Sequence, residues 1–469
     1  MKEFRFQPHP LGLMIGISAL ILFACSSLRH FLFQSTAWDL GIFDQAVYLI
    51  SQGQSPISSF LGFHILGDHA ALIFYPLALL YLIKPDVHWL LAVQAVALAL
   101  GALPTWHLAR QAGLKKAQAT AMAAVYLLYP LVFNINLFDF HPDAIAMPAM
   151  LGAVLAARLG HLWWFCLAIA SILSCKGVFA LTVAAMGFWL LIFEKRRLYG
   201  AIALIAGVAW FIIATQAIIP FFGNETATVG RHLSRYSYLG NSFAEVAQNL
   251  VLKPGLLLSG TFTQPNLEYL LWLLLPVIWG LSPRHLTPLV GAIPALAIDL
   301  LSNLETQKDL IHQYSLPVLP FLLLATISTL ASGGWWLRSQ RGIILWSLVA
   351  FLALAKFGYF GSIYLEYLDT WQATREAVTL VPNQGGVLTS ASIAPHLTHR
   401  PVVKLAIEGS ESLDLSQFQH ILLNIRHPGW ASSPELVNRL ISRLKQTPEF
   451  KLRYQRDGIL LFKKVNYPH

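Results

Sequence analysis

Leu11-Gly12-Leu13-Met14-Ile15-Gly16-Ile17-Ser18-Ala19-Leu20-Ile21-Leu22-Phe23 opens an apolar run that continues to Phe33, and comparable runs recur to beyond Phe357. A bilayer crossing takes about 20 apolar residues, and the first run meets that length unaided. Of the 469 residues, 56% are hydrophobic and 12% charged, with a mean hydropathy of +0.58. So little polar surface cannot coat a soluble globule of this size. The expectation is an all-α polytopic membrane protein. The first run is long for a signal core and lacks a small-residue cleavage site, so it is read as a retained helix.

The net charge of +9 is distributed as membrane topology demands. Lys2 and Arg5 precede the first run, while Arg110, Lys115 and Lys116, then Lys195, Arg196 and Arg197, then Arg338 and Arg341, lie between later runs. The positive-inside rule makes these groups cytoplasmic, and a basic balance explained this way excludes nucleic acid as a partner. Threading the chain between them gives crossings at 11–33, 87–109, 118–133, 143–158, 162–174, 178–193, 201–219, 267–281, 286–301, 316–330 and 343–357, about eleven transmembrane helices. The run 71–83 is short and ends at Lys84-Pro85-Asp86, so it is read as interfacial or re-entrant on the outer face. The amino end is then cytoplasmic, 34–70 and 220–265 are external loops, and the setting is the plasma (inner) membrane.

From Leu368 the composition becomes that of a soluble domain. Trp371 to Val381 has helical character, Gly386 to Ser392 and His420 to Ile425 read as strands, and Pro434 to Gln446 is an amphipathic helix after the candidate caps Ser432-Ser433. Phe450 to Tyr454 and Ile459 to Lys463 complete a strand, turn and strand. The expected organisation is a transmembrane part, 1–367, and a small extracytoplasmic α/β domain, 368–469.

Acidic residues are scarce, 23 in all, yet five of them stand with two histidines in three short clusters. These are Trp38-Asp39-Leu40-Gly41-Ile42-Phe43-Asp44-Gln45, Gly67-Asp68-His69 and Phe138-Asp139-Phe140-His141-Pro142-Asp143. On the expected topology Asp39, Asp44, Asp68, His69, Asp139, His141, Asp143, Lys176, Arg231, His232, Arg235, Tyr236, His312 and Tyr314 all reach the outer face. A charge deep in a bilayer costs about 2.5 to 3.5 kcal/mol on insertion scales, so such residues face a wet cavity or each other. Cys25, Cys166 and Cys175 have no Cys-x-x-Cys spacing, and no Gly-rich phosphate loop or nucleophile elbow is present.

These stretches, with Leu66-Gly67-Asp68-His69, Ser174-Cys175-Lys176, Arg235-Tyr236-Ser237-Tyr238-Leu239-Gly240 and His312-Gln313-Tyr314, resemble the signature segments of the prokaryotic membrane proteins grouped as domain of unknown function family 2079. The resemblance runs from about residue 36 to 400, with Ala394-Pro395-His396-Leu397-Thr398-His399-Arg400 as its distal portion. The family pattern carries two acids after the lysine, where this chain has Gly177 and Val178. The family in turn is similar to the GT-C glycosyltransferases, which take a sugar from a polyprenyl-phosphate carrier on the outer membrane face. The resemblance implies a GT-C-like fold, a functional acid at Asp39 with Asp44 beside it, and a glycan, lipid or protein acceptor.

Such a transfer passes through an oxocarbenium-like state, so a carboxylate must deprotonate or orient the acceptor hydroxyl while cations hold the leaving phosphate. Asp39 or Asp44 fits the first role, and Lys176, Arg231 and Arg235 fit the second. Asp68, His69, Asp139 and His141, with Asp39 and Asp44, could complete a Mg²⁺ or Mn²⁺ site, since carboxylates favour those ions. Asp143, Tyr236, His312 and Tyr314 are further candidates. Each has a plainer reading: Asp39, Asp68 and Asp143 as helix caps, Lys176 snorkelling to headgroups, and the arginines meeting anionic lipid. A membrane transporter and a non-catalytic membrane assembly protein are the alternative classes.

Cysteines introduced at Ser55 and Ser410 are expected to react with an impermeant thiol reagent added to intact cells, and one at Gln118 to stay unlabelled. Labelling at Gln118 would overturn the topology.

Overall fold

The computed structural model describes residues 10–223, 233–334 and 336–465. Among these, five helices are long and apolar enough to cross a membrane: Pro10–Phe31, His88–Gln111, Lys116–Leu137, Arg197–Phe222 and Gln313–Ala331. A sixth span arises if Gln340–Leu354 and Lys356–Leu365, bent by 42° at their junction, are counted together. Four shorter apolar helices, Phe74–Ile83, Leu162–Cys175, Phe179–Ile192 and Thr287–Leu300, have 10–17 residues. The expectation of about eleven crossings counts segments of this shorter kind as spans.

Proline explains much of the shortening. Where an unbroken helix was expected over 267–281, the α-helix stops at Leu274 and a tighter 3-10 segment, Leu275–Gly280, begins with Pro276 in its first turn. Thr287–Ala292 is likewise 3-10, with Pro288 at its start, and Pro294 opens the following helix Ile293–Leu300. Proline lacks the amide hydrogen that a helix interior needs, so it starts helices and interrupts those already running.

The chain forms two compact units. The first comprises Met1–Ala24, Leu66–Ile73 and Ala92–Lys356. Within it Phe179–Ile192 and Arg197–Ile213 pack so closely that a Cβ on Gly187 would lie 2.3 Å from the Leu204 amide nitrogen, and one on Gly200 2.6 Å from that of Leu191. Small residues bring helix backbones together where no hydrophobic force favours contact between helices over contact with lipid.

The second unit comprises Cys25–Ile65, Phe74–Leu91 and Phe357–His469. It holds a five-stranded sheet in the order Val403–Leu405, Gly386–Thr389, Phe418–Asn424, Ile459–Lys464, Phe450–Arg456. The first three strands run parallel and the last two pair antiparallel. Leu436, Val437, Leu440, Ile441 and Leu444, one face of the helix Pro434–Gln446, cover one side of the sheet against Phe418, Ile421, Leu423 and Phe462. Ala373, Ala377 and Val381, from Leu368–Thr379 and just after it, cover the other against Val387, Leu422 and Leu461. Ser433, one of the two expected caps, accepts a hydrogen bond from the Leu436 amide at 3.2 Å.

Segments distant in sequence meet inside this unit. Gln45, fully buried in the helix Ile42–Ser51, donates to Ser59 Oγ at 2.8 Å and to the Arg400 carbonyl at 3.0 Å, and accepts from the Ser59 amide at 2.9 Å. Ser59 Oγ in turn donates to the Val403 carbonyl at 2.8 Å and accepts from the Val403 amide at 2.9 Å. Ser410, named above as a labelling position, is only 3% exposed, because its loop folds against the sheet edge; Ser55 is exposed and serves that experiment.

Gln45→Leu keeps the volume but orphans the partners on Ser59 and Arg400. Each buried group left unsatisfied costs about 1 to 3 kcal/mol, so the detergent-solubilised variant should melt several degrees lower, whereas Gln52→Leu, on an exposed residue, should not. Equal melting of Gln45→Leu and the parent would refute the clamp.

Candidate functional site

Asp39 and Asp44 belong to the second unit, five residues apart but in different surroundings. The π-helical turn Ala37–Gly41 carries Asp39 half-buried, with Thr36 Oγ1 donating to its Oδ2 at 2.8 Å. Asp44 is 1% exposed in Ile42–Ser51, which continues without a break from that π-helical turn. Its carboxylate accepts hydrogen bonds from the hydroxyls of Tyr81 and Thr398, and His399 Nε2 lies 3.2 Å from Oδ2. A buried carboxylate without such donors would be strongly destabilising. Asp44 is therefore an internal anchor of the segment 394–400, and Asp39 is the more accessible acid of the pair.

Two histidines of that segment respond oppositely to their surroundings. His396 stacks on His30 at 4.0 Å and packs on Phe33 at 4.3 Å. Burial is the main cause that pulls its imidazole down to about 4. His399 stacks on Tyr48 at 4.8 Å; burial works to lower it, but the Asp44 charge and hydrogen bond prevail and hold it above the ordinary histidine value.

The other described candidates lie in the first unit. Lys176, in extended conformation just past the helix Leu162–Cys175, places Nζ 2.6 Å from Oδ2 of Asp143, in the first turn of Asp143–Leu159. Both side chains are buried, at 6% and 4% exposure, so neither reaches lipid headgroups and the snorkelling reading fails. The next residue, Gly177, donates its amide to the His69 carbonyl at 2.7 Å, and a Cβ there would stand 3.2 Å from that of Ala214. A side chain at this position would need its neighbours to shift by a few tenths of an ångström. Asp68 and His69 form their own pair at 3.2 Å in the short helix Leu66–His69.

Asp139 is buried with φ of 73°, a left-handed conformation that costs a non-glycine residue about 1 to 3 kcal/mol. Gln94 holds it there: its amide donates to the Asp139 carbonyl at 2.8 Å, and its oxygen accepts from the His141 amide at 2.8 Å. From His141 a file of rings runs through Phe138 (5.4 Å) to His312 (4.2 Å) and Tyr314 (6.4 Å), with the Arg235 guanidinium 5.7 Å over the Tyr314 ring. Asp309 accepts from the His312 ring at 2.7 Å and from its amide at 2.9 Å. Tyr236 donates to the Ile298 carbonyl at 2.9 Å. Arg231 and His232 lie outside the described residues.

Sequence reasoning missed Tyr81, Thr398 and His399 as partners of Asp44, and Gln94 as the brace of Asp139. Gln94 had a signal, being the one amide inside the apolar run 87–109. Tyr81 had none, since tyrosine is ordinary at a membrane boundary. Among the described residues no three His, Cys, Asp or Glu side chains gather as a metal-holding group.

A family model described as "Predicted membrane protein (DUF2079)" matches residues 29–461. Among solved structures, ArnT from Cupriavidus metallidurans bound to undecaprenyl phosphate is similar at 13% identity and a TM-score of 0.56, over 97% of this chain and 98% of that one. The apo state of the same protein matches at 11% identity and 0.54, over 97% of each chain. The oligosaccharyltransferase AglB from Archaeoglobus fulgidus, in complex with an inhibitory peptide and a dolichol-phosphate, matches at 11% and 0.41, over 97% of this chain and 74% of that one. No curated protein matches. The whole-length likeness to ArnT shows the fold, which is GT-C-like.

His396 has a folded pKa below its unfolded one, so its contribution to stability is complete above about 6.5 and is lost as pH falls towards 4, by up to about 3 kcal/mol. His399 has the opposite sign: its contribution is complete below about 6.5 and is lost as pH rises through its raised value. Melting curves against pH should show a flatter acid limb for His396→Phe and a flatter neutral-to-alkaline limb for His399→Phe.

Proposed function

The chain belongs to the predicted membrane protein family DUF2079, and on that premise we propose that it is an integral membrane glycosyltransferase. It moves a sugar from a polyprenyl-phosphate carrier to an acceptor on the extracytoplasmic face of the plasma membrane. The observation that carries this reading is the likeness, along 97% of the chain, to a protein solved with undecaprenyl phosphate bound. The orientation it requires, with about eleven crossings, a cytoplasmic amino end and the module 368–469 outside, is the one that the basic loops favour.

In this reading the acceptor hydroxyl oxygen bonds to the anomeric carbon as the bond from that carbon to the phosphate oxygen breaks. The electron pair stays on the polyprenyl phosphate, and the acceptor proton goes to a carboxylate. Asp39 is the base, being the half-exposed acid, and the hydrogen bond from Thr36 orients it. Asp44 supports it from within, bound to Tyr81, Thr398 and His399. Lys176 meets the donor phosphate, which replaces Asp143 as its partner. The Arg235–Tyr314–His312 file, with Tyr236, Asp139 and His141 at its margins, serves the donor or acceptor, and Asp68 and His69 brace the Gly177 turn.

Asp39→Asn should abolish transfer with the melting temperature unchanged, since the amide keeps the shape and loses the basicity; a positioned base contributes about 10² to 10⁴ in rate. Asp44→Asn should lose both transfer and stability. Lys176→Gln should weaken undecaprenyl phosphate binding roughly ten- to hundredfold, and binding of the uncharged polyprenol little, because a charge-assisted contact contributes about 1.5 to 3 kcal/mol. Near-normal turnover by Asp39→Asn would exclude it as the base, and equal small losses for both lipids would exclude the lysine as the phosphate ligand.

A further inference from the structure

Within the second unit, the π-helical turn that carries Trp38 and Asp39 meets the edge of the five-stranded sheet, and Trp38 there lines a groove of about 300 Å³. That is the lower end of ligand-pocket sizes, room for a sugar unit rather than for a long chain. Trp38, Phe60 and Leu405 give it apolar walls, while Lys404, Glu408 and Ser410 give it polar ones. Trp430 stands next to Trp38, their rings 5.7 Å apart and nearly perpendicular at 79°, and it is 63% exposed.

An indole so exposed is usually a loose surface residue, but the backbone around this one is constrained. Gly429 and Ala431 flank it at φ of 91° and 52°, both in the left-handed region, and the second of these costs a residue with a side chain about 1 to 3 kcal/mol. The Ala431 carbonyl accepts from the Glu408 amide at 2.9 Å, which ties the Trp430 loop to the groove wall. A Cβ on Gly429 would lie 3.2 Å from that of Ala391, so the loop is also packed from beneath. The fold spends conformational strain to hold an aromatic face open to solvent.

Two polar atoms enclosed in the groove wall, Trp38 Nε1 and Ser410 Oγ, have no hydrogen-bond partner among the described residues. Ser410 is only 3% exposed. Buried polar groups are rarely left so, and their unused capacity suits an occupant rich in hydroxyls. The exposed Glu408 carboxylate adds an acceptor at the rim, while the Lys404 ammonium is already committed to the Ser59 carbonyl at 2.7 Å, which favours a neutral ligand over an anionic one. A pyranose ring presents this combination: a face of C–H groups that meets the negative face of an indole, and an edge of hydroxyls.

We propose that this groove is the acceptor subsite and that it binds a neutral saccharide, packed on Trp38 in the groove wall and on the neighbouring Trp430. The inference rests on the glycosyltransferase reading for the word acceptor, and on the groove alone for saccharide binding.

The test uses the full chain in lipid nanodiscs, free of sugar-headed detergents, and saturation-transfer NMR with cellobiose, N-acetylglucosamine, galactose and mannose as probes. Transfer to ring C–H protons is expected for at least one of them. It should fall roughly tenfold in Trp430→Ala, the loss of one aromatic contact at about 1.4 kcal/mol, and be largely kept in Trp430→Phe. No transfer from any probe, or equal transfer from the parent and Trp430→Ala, overturns the proposal and leaves Trp430 as a lipid-interface anchor. Binding of undecaprenyl phosphate is measured on the same samples: intact lipid binding without a sugar signal defeats the groove alone, whereas loss of lipid binding in the parent defeats the transferase reading.

Discussion

The Asp44 carboxylate, sealed from solvent, is the constraint on which the second unit depends. A buried anion survives only with donors around it, and this one draws them from segments far apart in sequence: Tyr81 from the short apolar helix, Thr398 and His399 from the distal motif. Gln45, its neighbour, repeats the device with an uncharged amide. Together they fasten the loop after the first helix to a sheet edge some 350 residues later. The half-exposed Asp39 and the groove under Trp38 inherit their positions from that attachment. An Asp–His contact so placed also couples the attachment to pH, with a sign opposite to that of the neutral His396 three residues earlier.

In the first unit the governing interaction is also electrostatic. Lys176 and Asp143 are both buried and 2.6 Å apart, so each compensates the other; removing one would strand a charge at a cost of about 3 to 5 kcal/mol. A pair of this kind is a poor contributor to net stability, since the cost of taking both charges out of water offsets their attraction. Gly177 follows at a point where the Ala214 side chain would stand 3.2 Å from an added Cβ, so a larger residue needs some adjustment. The strained Asp139, braced by Gln94, belongs to the same economy of held geometry at a polar locus. Strain of that size persists only where surrounding contacts over-determine it.

Much was legible in the sequence, for identifiable reasons. Apolar runs of bilayer length declare helices because a membrane leaves the backbone no other way to satisfy its hydrogen bonds along a single segment. The expected helix at 11–33 is found at Pro10–Phe31, and the one at 87–109 at His88–Gln111. The amphipathic period of 434–446 likewise reported local structure, since it is set by which face of the helix is buried, and the strands expected near 420 and 460 are apolar runs found at Phe418–Asn424 and Ile459–Lys464. Where prolines fall inside apolar runs the reading was less secure, and there the structure has 3-10 segments in place of continuous helix.

Composition and local pattern, then, determined by themselves that this chain lives in a membrane, that its tail forms strands and helices of soluble character, and that its scarce acids are concentrated at a few places. Those properties depend on hydrophobic period and on charge, which are written residue by residue. Only the tertiary structure decided that Asp44 is an anchor and Asp39 the more accessible acid, that Lys176 is paired with Asp143 and not with lipid, and that Trp38 and Trp430 meet ring to ring. Burial and partnership are relations between segments hundreds of residues apart. No local pattern encodes which donor will reach a given carboxylate once the chain has closed.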